Sequence, residues 1–122
     1  MSRFSKKIII EELDEEDIVG LCQNMVQIPS DNPPGDTSDL GCFIKSYIED
    51  HGGEVELYEP KEGIVNILSS TGKGPPHIIL NGHLDQFPSE VGEKWKVDPY
   101  GGEIKDGYLY GRGSGDMKGG LA

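Results

Sequence analysis

From Asp14 onward, apolar residues fall at Ile18, Leu21, Cys22, Met25 and Val26, a spacing of i, i+3, i+4, i+7 and i+8. Such a spacing lines one face of a helix, and the acids of its first turn suit the positive end of the helix dipole. Pro29 stops this helix. Asn32-Pro33-Pro34-Gly35 then makes a stiff turn through which neither a helix nor a central strand continues. Leu40, Phe43, Ile44, Tyr47 and Ile48 repeat the helical spacing, so a second helix is predicted to start near Asp36 or Thr37 and to stop at His51-Gly52-Gly53.

Beyond the helices the period changes. Val55 to Tyr58 alternates apolar and polar positions, and Ile64 to Leu68 is β-prone, so the two read as strands of a hairpin; Ser69 to Pro76 is a Gly/Pro-rich turn. His77-Ile78-Ile79-Leu80 carries three large apolar residues in a row, the pattern of a strand buried on both faces between layers of helices. Asp106-Gly107 separates Gly102 to Lys105 from Tyr108 to Tyr110 and predicts a second hairpin, because both turn residues tolerate positive φ. A further helix is expected just after Asp116. Gly119-Gly120-Leu121-Ala122 carries no stop signal, which suggests an interrupted element and hence a fragment.

Composition narrows the possibilities. The 122 residues suffice for one domain or part of one, burying roughly two-thirds of the surface exposed by the unfolded chain. Apolar residues are 34% and charged residues 27% of the chain, but their regular grouping favours a folded chain over disorder. Asp and Glu outnumber Lys and Arg by 22 to 11, a net charge of −11, which repels nucleic-acid phosphates and also serves ordinary solubility. Cys22 and Cys42 sit in helical apolar patterns and read as buried reduced thiols, which suits a cytoplasmic protein. Met1 to Ile10, with its Ile8-Ile9-Ile10 run, is too short in apolar residues for a signal-peptide core or a membrane span.

Chemistry gathers at the end of the apolar strand. In extended backbone, residues i and i+2 project to one side, so His83 and Asp85 can face one cavity at the strand's C-terminal end, where α/β sheets place ligands. A neutral imidazole can bind a divalent ion while a carboxylate holds its other N–H, and Asp85 suits that orienting role. Asp116 follows Gly111-Arg112-Gly113-Ser114-Gly115 and can bind one ion or bridge two. On spacing alone, His83 also fits a hydrogen-bonded loop histidine.

The wider strings decide between these readings. Leu80-Asn81-Gly82-His83-Leu84-Asp85, Trp95-Lys96-Val97-Asp98-Pro99-Tyr100, and Gly111 through Gly120 occur together and in order. The set resembles the zinc metallopeptidase family of acetylornithine deacetylase, succinyl-diaminopimelate desuccinylase, aminoacylase and the glutamate-releasing carboxypeptidase G. The resemblance runs from the helix at Asp14 onward and is most specific between Leu80 and Gly120. It implies a three-layer α/β catalytic domain with a mainly parallel sheet, and two divalent metal ions, zinc with cobalt or manganese admitted. It further implies that His83 is a ligand of one metal, Asp116 the bridging carboxylate, Asp85 the residue orienting His83, and Asp116-Met117 a cis peptide.

A later Glu-Glu pair, further ligands and an inserted dimerisation domain belong to the family but match nothing in these 122 residues. The expected activity is hydrolysis of an amide bond in N-acyl amino acids or small peptides, with the chain alone binding metal weakly and hydrolysing little. The full-length form is expected as a homodimer acting on a small-molecule or short-peptide substrate, without nucleic-acid or membrane partners. The alternative is a truncated, non-catalytic binding or regulatory module that keeps the fold core.

The remaining features take local roles. Gly111 to Gly115 lacks the spacing of a phosphate loop, and neither Ser30 nor Ser114 sits in a nucleophile elbow. Lys118 is expected as a solvated lysine near a helix start, and Arg112 as the partner of a local acid. Trp95 and Tyr100 are expected to pack their loop onto the domain, His77 to be exposed, and His51 to serve a helix end.

Overall fold

In the computed structural model, which describes residues 13–75, 77–90 and 94–122, Asp14 caps the first helix, α1 (Glu15–Val26). Its Oδ1 accepts the Glu16 and Asp17 amides at 2.9 and 3.4 Å, two of the donors that a helix start leaves unpaired. Along the apolar stripe Cys22, Met25 and Val26 are buried, and Ile18 and Leu21 half-buried. Met1 to Ile10 and Pro76 lie outside the described residues.

The second helix, α2 (Ser38–Asp50), follows the turn at Asn32 to Gly35. Asp36 Oδ1 accepts the Ser38 amide at 2.9 Å, and this bond holds the Asp36 carboxyl below the usual carboxylate range. At the other end Gly53 N–H returns to Ile48 O at 2.9 Å, while His51 Nδ1 lies 2.7 Å from Tyr47 O. Leu40 is fully buried, but Phe43, Ile44, Tyr47 and Ile48 are only half-covered.

Strands β1 (Glu54–Lys61) and β2 (Ile64–Ser70) form the expected antiparallel hairpin. Helix α2 approaches it so closely that a Cβ on Gly41 would stand 2.9 Å from Val65 Cγ1. The buried Thr37 joins the two: its amide donates to Gly63 O at 2.7 Å, and its Oγ1 accepts the Val65 amide at 3.0 Å. Thr37→Val keeps the shape but leaves the Val65 N–H unpaired, a loss of about 1–3 kcal/mol. A lowered urea midpoint is the expected result; an unchanged midpoint would show that this bond does not hold helix to hairpin.

Strands β3 (Glu103–Lys105) and β4 (Tyr108–Tyr110) make the second hairpin, with φ of 52° at Asp106 and 79° at Gly107. Two positive φ values in a two-residue loop give the turn whose twist matches the strands, as the Asp-Gly pair predicts. The chain closes with a π-type turn, Ser114–Lys118, and the short helix α3 (Gly119–Leu121), so helix does follow Asp116.

Three expectations are corrected. Ile78, Ile79 and Leu80 are 81, 90 and 93% exposed and belong to no strand. No neighbouring strand among the described residues offers them a hydrogen-bonded ladder, and no layer covers either face. The described residues therefore form an α/β chain with two small antiparallel sheets, and the one parallel pairing among them is an isolated bridge between Asp31 and Gln86. Cys22 is buried, which pushes its thiol pKa up, but Cys42 is exposed, because it turns to the side of α2 away from Leu40. Lys118 is not solvated: at 1% exposure it is the largest fully buried side chain of the described residues. No helix among them is long and apolar enough to cross a membrane.

Candidate functional site

Two segments that are distant in sequence bring the predicted residues together. The first is the extended stretch ending at Asp85. Gly82 passes so close to the terminal turn that a Cβ there would lie 2.6 Å from Leu121 Cδ2 and 3.0 Å from Met117 Cε, and the His83 amide points at Met117 Sδ, 3.3 Å away.

The second segment runs from Gly111 to Lys118. A Cβ on Gly111 would stand 2.3 Å from Val26 Cγ1, so only glycine lets this backbone lie on α1. Gly113, at φ 81°, reverses the chain, and Lys118 N–H closes onto Gly113 O at 2.9 Å. Within the turn Asp116 has extended dihedrals, φ −138° and ψ 95°, and the Asp116-Met117 bond is cis, as the resemblance implies.

His83 lies between two carboxylates. Its Nε2 is 2.9 Å from Asp116 Oδ1, and its Nδ1 is 3.2 Å from Asp85 Oδ1 and 2.9 Å from the Asp85 backbone oxygen. The Asp85 carbonyl first, and then the Asp116 carboxylate, hold the imidazole above its ordinary pKa range. The groups are open to solvent, with Asp116 79% exposed.

The donor atoms can be tested against a divalent ion. A zinc ion with bonds of about 2.0–2.1 Å to nitrogen and oxygen in tetrahedral geometry needs them roughly 3.3 Å apart. His83 Nε2 and Asp116 Oδ1 face each other at 2.9 Å, within a few tenths of an ångström of that separation. Both ring nitrogens face acceptors, Nδ1 those of Asp85 and Nε2 the Asp116 carboxylate, so the one proton of the neutral ring can sit on either side, and an ion held at Nε2 requires it on Nδ1. The pair fits as two ligands. Among the described residues no group of three or more His, Cys, Asp or Glu side chains converges as a metal cage.

Behind this front, Ser30, Asp31 and Asn32 run beside Leu84, Asp85 and Gln86. Gln86 N–H donates to Ser30 O at 3.0 Å, Asn32 N–H to Gln86 O at 2.8 Å, and Ser30 Oγ to Leu84 O at 2.7 Å. The Asp31 carboxylate accepts Gln86 Nε2 at 2.8 Å and Tyr100 O–H at 2.6 Å. Asn32 Nδ2 donates to Asp85 Oδ2 at 2.9 Å. None of these contacts was legible from local spacing, since the 29–35 stretch reads only as a proline turn.

Compared with known proteins, residues 79–122 match the model of Peptidase family M20/M25/M40. This chain belongs to that family. Similar curated proteins include the N-formyl-4-amino-5-aminomethyl-2-methylpyrimidine deformylase of Halalkalibacterium halodurans, 34% identical over 96% of this chain and 30% of the relative. The succinyl-diaminopimelate desuccinylases of Wolinella succinogenes and Rhodospirillum centenum are 40 and 37% identical, over 86 and 87% of this chain and 27 and 28% of their own lengths. The chain thus spans less than a third of the length of these relatives.

The family match covers His83, Asp85 and Asp116, whereas the strand-like clamp at Ser30 to Asn32 lies before it. In this member of the peptidase family Arg112 lies over the Trp95 ring, 5.0 Å from its centroid. Tyr100 packs its loop as expected, its hydroxyl reaching Asp31 and receiving bonds from Ser89. The serines are used structurally, Ser114 Oγ donating to Gly111 O at 2.8 Å. Lys118 Nζ donates to Ile28 O at 2.8 Å; burial lowers its pKa to about 8, against the opposing pull of the Asp31 charge.

Proposed function

We propose that this chain is part of the catalytic domain of a metal-dependent hydrolase that cleaves an amide bond in N-acyl amino acids or small peptides. The observation that carries the reading is the opposition of His83 Nε2 and Asp116 Oδ1 at 2.9 Å, with Asp85 at the other imidazole nitrogen. The curated relatives named as a deformylase and desuccinylases support an N-acyl substrate. In the whole domain the sheet would be mainly parallel within three layers, and the whole protein a cytoplasmic homodimer.

His83 and Asp116 would hold metal. The ions, zinc by the donor chemistry and cobalt as a substitute, would supply Lewis-acid polarisation of the scissile carbonyl and activation of the attacking water. Asp85 would keep the His83 proton on Nδ1, which leaves the Nε2 lone pair for an ion held beside Asp116. Asp116 supplies negative charge at an open surface.

The test is release of free amine from N-formyl, N-acetyl and N-succinyl amino acids by the protein translated from its full reading frame. Activity is expected with zinc or cobalt and is lost on chelation. Turnover that survives chelation would sink the reading. A non-catalytic module is the second reading, favoured by the presence of only two facing donor atoms among the described residues; it predicts zinc binding without turnover in the same assay.

A further inference from the structure

Resting on the reading that His83 and Asp116 hold metal, we propose that Asn32 is a positioning residue for that site, acting on His83 through Asp85. The Asp85 carboxylate is shared: Oδ1 lies 3.2 Å from His83 Nδ1, and Oδ2 accepts Asn32 Nδ2 at 2.9 Å. A carboxylate turns easily about its last torsion. The Asn32 bond therefore selects the orientation that keeps Oδ1 on the imidazole.

Asn32 can impose this orientation because it is itself immobilised. Its amide donates to Gln86 O at 2.8 Å, so residue 32 is fixed to the residue directly after Asp85. Its neighbour Asp31 is tied to Gln86 and to Tyr100. The far end of its side chain abuts Gly35, where an added Cβ would stand 3.3 Å from Asn32 Oδ1 and 3.7 Å from Nδ2, while Nδ2 reaches Asp85. A neutral donor is the chemistry required here: it stabilises the ionised Asp85 without adding a charge that competes for it.

The consequence concerns where the His83 proton sits. Asp116 Oδ1 accepts at Nε2 as readily as Asp85 does at Nδ1, so in the metal-free chain the two sides compete for the single proton of the neutral ring. The Asp85 backbone oxygen at 2.9 Å holds part of the preference for Nδ1–H by itself. Asn32 adds the carboxylate's share, which limits its effect to about the lower end of the 10–100-fold typical of residues that orient metal ligands.

The experiment uses the protein translated from its full reading frame with zinc as probe, titrated calorimetrically, together with ¹⁵N spectra of the His83 ring in the metal-free protein at a pH where the imidazole is neutral. Asn32→Ala should weaken zinc binding about tenfold and move the ring toward the Nε2–H form, with an unchanged urea midpoint. Asn32→Leu, which fills nearly the same space but loses the donor without adding a charge, should do the same and serves if the alanine variant does not fold. Wild-type zinc affinity and ring shifts in either folded variant overturn the proposal. Should zinc bind no differently to the wild type and to His83→Ala, the metal reading fails, and the ring shifts alone then decide the role of Asn32.

Discussion

Asp116→Ala is expected to abolish zinc binding and to lower amide hydrolysis, in the protein from the full reading frame, by more than a hundredfold. Residues that merely orient a ligand are worth 10–100-fold, and Asp116 faces His83 Nε2 directly, so it stands on the stronger side of that range. Its carboxylate is 79% exposed, and His83 is the partner that fixes it. The fold therefore has little to lose, and the midpoint for urea unfolding should move by no more than about 0.5 kcal/mol in equivalent free energy. Calorimetry with zinc checks the first claim and the N-acyl amino acid assay the second. A stable variant that kept both would remove Asp116 from the site.

Two residues further on, the expectation reverses: Lys118→Ala should cost about 3 kcal/mol of stability. The side chain is 1% exposed, its stem fills space beside α1, and truncating a large buried side chain to Ala leaves a cavity worth 2–5 kcal/mol. Lys118→Met separates packing from charge. It keeps the stem and loses the bond to Ile28 O, but it also removes an ammonium whose burial is unfavourable enough to lower its pKa to about 8. These terms offset, so the Met variant should lie within about 1 kcal/mol of wild type. Chemical denaturation of both variants gives the comparison, and equal losses would show that the ammonium, and not the stem, holds the turn.

Lys118 also shows where reading along the chain stops short. Near a helix start a lysine is ordinarily solvated, and nothing within a few positions predicts that Ile28, ninety residues earlier, receives its ammonium. Asn32 is the same case, since the pattern explains Asn32-Pro33-Pro34-Gly35 fully as a turn, while its amide serves Asp85, 53 positions away. The exposed Ile78 to Leu80 is the opposite error, where the pattern promised burial that the described residues do not provide.

By itself the sequence determined both helices, both hairpins and the residues of the candidate site, because helix and strand periods, proline stops and an Asp-Gly turn act over a few residues. It also marked His83, Asp85 and Asp116 through strings that the family match covers. Tertiary structure alone decided that His83 Nε2 meets Asp116, that Asp85 is shared with Asn32, and that Lys118 is buried. Each of those facts depends on which distant segments pack together, and packing is set by shape and hydrogen-bond satisfaction across the whole chain, not by any local spacing.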